Sequence, residues 1–187
     1  MEPAVVWTIG HSTRSREEFL DLLRGEEIEL VADVRRYPAS RMHPQFNAEA
    51  LRQSLADAGM RYEGFPELGG RRAPTAGSAN TRWRNAAFRG YADYMETAAF
   101  GDALARLMAM AGDARTAIMC AEAPWWRCHR ALIADALKAR GVEVVHIMAK
   151  ARLIAHPYTS AASVVAGKLY YGPSLDLFDE RATPPGG

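Results

Sequence analysis

Two thiols, a carboxylate, an imidazole and two guanidiniums crowd one short stretch of this chain: Cys120, Glu122, Arg127, Cys128, His129 and Arg130. A thiol beside arginines and a helix N-terminus has a lowered pKa and can act as a nucleophile, which makes Cys120 the first candidate for that role. Its alternative is an inert core cysteine, and Cys128, four residues before Leu132 on an apolar stripe, reads more readily as structural. His129 suits a general acid/base or an orienting group, or else a satisfied buried imidazole. Arg127 and Arg130 suit an anion clamp, against solvent-facing helix arginines. Glu122 and the distant Asp33 form a possible pair of acid/base carboxylates, or simply neutralise the arginines. His11, Cys120, Cys128 and His129 are also zinc-type ligands, but C-x7-C-H is not a standard spacing and the chain has no third cysteine. No metal is therefore assigned, and the sequence calls for no cofactor.

The elements that must position these groups are legible around them. Thr116 to Met119 is an apolar run ending on Cys120, and after a loop Leu132, Ile133, Ala136 and Leu137 recur at helical spacing. Strand, loop and helix in that order place the cluster where open α/β sheets bind ligands, at a strand's carboxyl end facing a helix N-terminus. Val5 to Ile9 predicts a first strand delivering His11. Ser15 and Glu18 form a capping box for a helix that stops at Gly25. Ile28 to Val34 predicts a second buried strand, with Asp33 near its end and Arg35 and Arg36 after it.

Asn47 is set to cap a helix over Ala48 to Ala58, and Arg61 to Phe65 predicts a third strand. In the PELGGRR segment that follows, Gly69 and Gly70 either turn backbone amides toward an anion, with Arg71 and Arg72 adding charge, or form an exposed turn. Residues 73–89 read as irregular. Helices are expected over Tyr91 to Thr97 and Ala103 to Ala111, and a buried strand over Val142 to Met148. Beyond Lys150 a helix start is expected over Tyr158 to Val165 and extended chain over Lys168 to Phe178, with no chemistry in either. The pattern predicts an α/β fold in one domain: a mostly parallel central sheet, helices on both faces, and a C-terminal extension over 151–187 ending in a loose tail from Thr183.

At 187 residues and 49% hydrophobic composition the chain is long enough for an ordinary core. A formal net charge of +1 gives no global field to draw in nucleic acid or an anionic membrane, so such a role would need a local patch. No apolar run reaches the roughly 20 residues of a membrane span. The N-terminus lacks a leader pattern, so a cytoplasmic location with free thiols is expected.

The stretches TIGHSTRSREEFLDLL, ADVRRYPASRMHPQFN, PELGGRR, FRGYADYM and MCAEAPWWRCHRALIADAL, followed by VVHI, resemble the prokaryotic domain-of-unknown-function family 488. The resemblance implies an α/β fold and, by match to those motifs, marks His11, Asp33, Arg35, Arg36, Pro38, Glu67, Gly69, Gly70, Cys120, Glu122, Cys128, His129 and Arg130 as candidate site residues. A looser similarity is to rhodanese and cysteine-phosphatase domains, where a strand ending in D-V-R precedes a strand ending in cysteine. The loop here, AEAPWW, holds an acid, a proline and two tryptophans where those domains hold small residues, so a phosphate cradle of that kind is not expected.

These observations point to an enzyme acting on an anionic, phosphate-bearing or nucleotide-like substrate. Cys120, His129, Asp33 and Glu122 would be its catalytic groups. His11, Arg35, Arg36, Glu67, Gly69, Gly70, Arg71, Arg127, Cys128 and Arg130 would bind the substrate. The competing readings are a nucleic-acid-binding or repair accessory module, with Trp83, Trp125 or Trp126 stacking on unpaired bases, and a structural or zinc-held domain without catalysis.

Overall fold

The computed structural model describes residues 4–173. In chain order the elements are β1 (Val5–Gly10), α1 (Arg16–Gly25), β2 (Leu30–Asp33), α2 (Ala48–Asp57), β3 (Arg61–Gly64), α3 (Ala86–Tyr94), α4 (Ala98–Asp113), β4 (Thr116–Cys120), α5 (Arg130–Lys138), β5 (Glu143–Ala149), β6 (Arg152–Ala155), β7 (Ser163–Val165) and β8 (Lys168–Tyr170). The first six strands make one sheet in the order β3-β2-β4-β1-β5-β6, parallel except for β6.

Alternation along the central strands divides the core into two layers, because successive side chains leave a strand on opposite faces. Trp7, Ile9, Val31, Ala117 and Met119 face α1 and α2, meeting Phe19, Leu23, Leu51 and Leu55. Val6, Ala32, Ile118 and Cys120 face the other way, toward Tyr91, Phe100, Leu104, Leu107, Leu132 and Ile133 of α3, α4 and α5. Helices therefore cover both faces, as the pattern predicts. The connection leaving β1 carries the chain past β4 to β2, while the one leaving β4 carries it past β1 to β5. The carboxyl ends of β1 and β4 thus form a topological switch point, where a crevice opens between diverging connections.

Capping chemistry explains most boundaries. Ser15 accepts from the Glu18 backbone N–H as the capping box requires. Asn85 and Thr97 cap α3 and α4 in the same way, so both helices begin well before the Tyr91 and Ala103 expected from apolar spacing. Asn47 stands at the start of α2, but its side chain accepts from Ser40 N–H at 2.6 Å and leaves that helix uncapped. The irregular segment over 73–85 is pinned rather than loose: Asp93 accepts from Thr75 N–H, the Thr75 and Ser78 hydroxyls and Asn80.

The expected helix over Tyr158 to Val165 is not formed. Instead β7 and β8 make a hairpin closed by Ala166 at φ 48° and Gly167 at φ 76°, a left-handed pair of the kind a two-residue β-turn demands. The part of the expected extended segment beyond residue 173, and the tail from Thr183, lie outside the described residues.

The chain after β5 also joins a buried polar network. Asp135 of α5 is fully buried and accepts from His156 Nε2 at 3.0 Å, the Thr159 hydroxyl at 2.6 Å, Thr159 N–H and the Tyr171 hydroxyl at 2.8 Å. His156 Nδ1 lies 2.9 Å from His146 Nε2, and His146 Nδ1 lies 2.7 Å from the Thr8 hydroxyl. Arg130 donates to Thr8 at 3.2 Å. The partners at the two ends set one direction for the chain of bonds: guanidinium to Thr8, Thr8 to His146, His146 to His156, His156 to the carboxylate.

Burial, with His156 and Arg130 adding to it, lowers the His146 pKa to about 2, and burial with Arg35 lowers that of His11 to about 4. The unfolded chain binds protons at these positions below about 6.5 that the folded chain refuses, so their contribution is intact above that pH and is lost as pH falls toward the folded values. Urea unfolding at pH 7 and pH 5 should show a loss of about 2 kcal/mol for each histidine. His146→Asn should remove one share of that pH dependence, and an unchanged slope in the variant would refute the assignment.

Candidate functional site

Backbone packing at the switch point comes first, because it decides which side chains reach the crevice. The loop after β4 crosses directly over the end of β1: a Cβ on Gly10 would lie 1.9 Å from the Glu122 carbonyl oxygen and 2.8 Å from the Ala123 Cα. Only glycine permits that crossing. Beneath the loop, Arg130 is 1% exposed and donates to the Glu122 carbonyl, to the Ala123 carbonyl at 3.2 Å and to Thr8. It fastens the loop to β1, and among the described residues it has no carboxylate in ion-pair range. Arg130 is thus a buried strut that does not line the cleft, in place of the anion clamp expected from its type.

A second buried guanidinium organises the β2 side. Asp33, 1% exposed, accepts from Arg35 N–H and Nε through one oxygen and from Nη2 at 2.7 Å through the other, which also accepts from the Tyr62 hydroxyl at 2.8 Å. Arg35 Nη2 further donates to the Phe46 carbonyl, and Nη1 lies 3.4 Å from His11 Nε2. With both oxygens occupied, Asp33 orients Arg35 and has no free lone pair in the cleft for acid/base work. His11 donates through Nδ1 to the Ser12 carbonyl and stacks on Phe46 at 4.4 Å, so its unprotonated Nε2 faces Arg35.

Between these two struts the cleft opens, with a volume of about 600 Å³. His11, Arg35, Arg36, Gly70, Arg71, Cys120, Glu122, Arg127, Cys128 and His129 all line it, as do His43 and Tyr91, which residue type alone did not single out. Asp33, Glu67, Gly69 and Arg130 do not. Glu67 sits 3.6 Å from Arg106 of α4. Gly69 packs on the backbone of Arg36, where a Cβ would come within 2.8 Å of three atoms, and Gly70 packs on the His129 ring, where a Cβ would come within 2.9 Å of Nδ1. The two glycines let the PELGGRR segment close against the site. Arg72 turns away from the cleft, over the Tyr94 ring at 3.6 Å.

The floor is a sulfur and imidazole cluster. His129 Nε2 donates to the Val34 carbonyl at 2.9 Å, which fixes the tautomer and leaves Nδ1 facing Cys128 Sγ at 3.6 Å and Cys120 Sγ at 4.0 Å. Tyr91 packs on the imidazole at 5.1 Å and donates its hydroxyl to the Leu68 carbonyl. The two thiols are held unequally. Cys120, hydrogen-bonded to Cys128 and buried, is pushed up. Cys128 is held low: burial opposes its ionisation, but the bond from Cys120 and the charge of Arg130 outweigh it. Arg130 N–H also points at Cys128 Sγ at 3.5 Å, the geometry of a helix N-terminus around an anion. Among the described residues, Cys120, Cys128 and His129 are also the set whose ligand atoms lie close enough together, within 4.8 Å, to hold a metal ion. His11 is not one of that set.

Exposed charge and aromatic surface gather at the mouth. Arg36, Arg71 and Arg127 are exposed, Arg36 donates to the Arg71 carbonyl and lies over Tyr37, and Tyr37 and Trp126 are 63% and 52% exposed. The other tryptophans are committed inside: Trp125 stacks on His146 at 4.5 Å, and Trp83 packs on Phe88 and Tyr171.

The model of the family described as Domain of unknown function DUF488 matches residues 15–137, about two thirds of the chain, and the protein belongs to that family. No curated protein and no solved structure matches the chain. No helix among the described residues is long and apolar enough to cross a membrane.

Removing one partner of a buried ion pair strands the other charge, which typically costs about 3–5 kcal/mol. Asp33→Ala should therefore lower the urea unfolding free energy by that amount. A loss of about 1 kcal/mol or less, as for a surface pair, would show that Arg35 is not held by Asp33.

Proposed function

For this member of the DUF488 family we propose an enzyme that acts on an anionic, phosphate-bearing or nucleotide-like substrate in the cleft at the carboxyl ends of β1 and β4. One observation carries the reading: Cys120, Cys128 and His129 meet at the floor of an open cleft whose mouth holds the exposed guanidiniums of Arg36, Arg71 and Arg127. Surface arginines alone bind anions without doing chemistry, and buried cysteines alone are core. Their convergence on one cavity gives a reacting centre and a means of holding charge beside it.

In this reading Arg71 and Arg127 take the phosphate and Arg36 supports them from across the mouth. Arg35, its charge balanced by Asp33, presents a fixed N–H edge from the wall through the side that faces His11. The substrate's reacting group then lies toward His129 and the two sulfurs, and Glu122, exposed on the rim, is the carboxylate free to carry a proton. Asp33 acts through Arg35 as a positioning group, and Arg130 acts through the loop it anchors.

A nucleic-acid-binding module remains a second reading, favoured by Tyr37 and Trp126, which stand exposed beside the same arginines as stacking platforms for unpaired bases.

Calorimetric titration with inorganic phosphate and with nucleoside monophosphates and diphosphates tests the first reading, followed by turnover assays on whichever binds. Arg127→Ala and Arg71→Ala should each weaken binding by about 10-fold or more, the usual worth of a charged hydrogen bond. Absence of binding to any phosphate compound overturns the proposal. Tight binding of single-stranded oligonucleotide that weakens steeply with salt and is lost in Trp126→Ala would transfer support to the second reading.

A further inference from the structure

We infer that Cys120, Cys128 and His129 form a site for a zinc-type divalent cation, with a coordination position left open toward the cleft. The inference deepens the enzymatic reading of the same cleft. It rests on that reading for the metal's role, though not for its binding.

Geometry carries the argument. Ligand lengths of about 2.3 Å for thiolate and about 2.0 Å for imidazole nitrogen, at tetrahedral angles, require sulfur and nitrogen to lie about 3.6 Å apart. The observed separations from His129 Nδ1 are 3.6 Å to Cys128 Sγ and 4.0 Å to Cys120 Sγ, within a few tenths of an ångström of that value, and all three ligand atoms lie within 4.8 Å of one another. The imidazole is already prepared. Its Nε2–H is spent on the Val34 carbonyl, which is the outer-shell bond that metal-ligating histidines ordinarily make, and the lone pair of Nδ1 is left pointing at both sulfurs. Arg130 N–H directed at Cys128 Sγ supports a thiolate from behind in the same manner.

Two soft sulfurs with one imidazole select zinc-type ions over magnesium or calcium, which want oxygen. A set of three protein ligands is the pattern of zinc sites that keep a position for water or substrate. All three residues line the cleft, so the fourth position faces the cavity where an anionic oxygen would arrive. His11, the fourth zinc-type residue in the region, is engaged with Ser12 and Arg35.

The test uses the full, untagged chain with both thiols reduced, titrated with Zn²⁺ against a chromophoric chelator and separately with Co²⁺. One ion per chain is expected, and Co²⁺ should give thiolate-to-metal charge-transfer absorption. Loss of outer-shell partners already costs metal sites 10- to 100-fold, so Cys120→Ser, Cys128→Ser and His129→Gln should each weaken Zn²⁺ binding by at least about 100-fold. His129→Gln should keep the charge-transfer bands at saturating Co²⁺, while each serine variant reduces them. Because the spectrum of the unmodified chain is itself a readout, the inference does not depend on any variant folding. No stoichiometric binding, or binding that survives in both serine variants, overturns it. Phosphate titration of the same metal-free preparation separates the two readings: phosphate binding without metal binding removes the metal and leaves the enzyme, while metal binding without phosphate binding does the reverse.

Discussion

Arg130 is buried with only carbonyls and a hydroxyl to accept from it, and the shape of the site follows from where it must find those acceptors. A guanidinium taken out of water without partners is costly, so the loop carbonyls of Glu122 and Ala123 are drawn down over Gly10 to reach it. That closure sets the loop between Cys120 and Cys128 and so brings the two sulfurs together beside His129. Through Thr8 the same guanidinium is joined to His146, His156 and finally Asp135. Opposite charges buried at the two ends of one oriented chain of hydrogen bonds stabilise each other's polarity, and the C-terminal strands become part of the site's support.

The β2 side answers with its own guanidinium. Arg35 is held by Asp33, which the Tyr62 hydroxyl fixes in turn, and by the Phe46 carbonyl, and it turns its remaining edge to His11. The cleft is therefore walled on one side by a guanidinium fixed in its ion pair and floored by sulfur and imidazole, while exposed arginines stand at its mouth. Groups held in place inside the cleft suit a site that orients a charged ligand with little reorganisation.

Much of this was legible in the residues. The strand, loop and helix around Cys120 are as the apolar spacing predicts, as are the βαβ unit before it and the capping box at Ser15. The burial of Arg130 was legible too: it stands three residues before Ile133 and seven before Leu137, in line with the apolar stripe of a helix that is buried throughout residues 130–137. Residue type suggested a clamp, and position made it a strut. What could not be read is long-range. Which thiol is held low depends on how the two sulfurs bond to each other and on Arg130 packing beside them, neither of which sequence spacing gives. The β7–β8 hairpin lacks the Asn-Gly or Asp-Gly signal that marks such turns, having Ala166 and Gly167 instead. His146, a polar residue within the run VVHIM, did carry a signal, since a buried histidine must find partners, but sequence spacing does not say that they would be Thr8 and His156.

The central claim is that the arginines at the mouth and the sulfur and imidazole floor serve one ligand. A crystal structure of the full chain grown with a nucleoside monophosphate tests it most directly. The account predicts the phosphate against Arg71 and Arg127, with the remainder of the ligand inside the cleft toward His129. Density for the ligand elsewhere on the protein, or at the arginines with its body turned out to solvent, would contradict it.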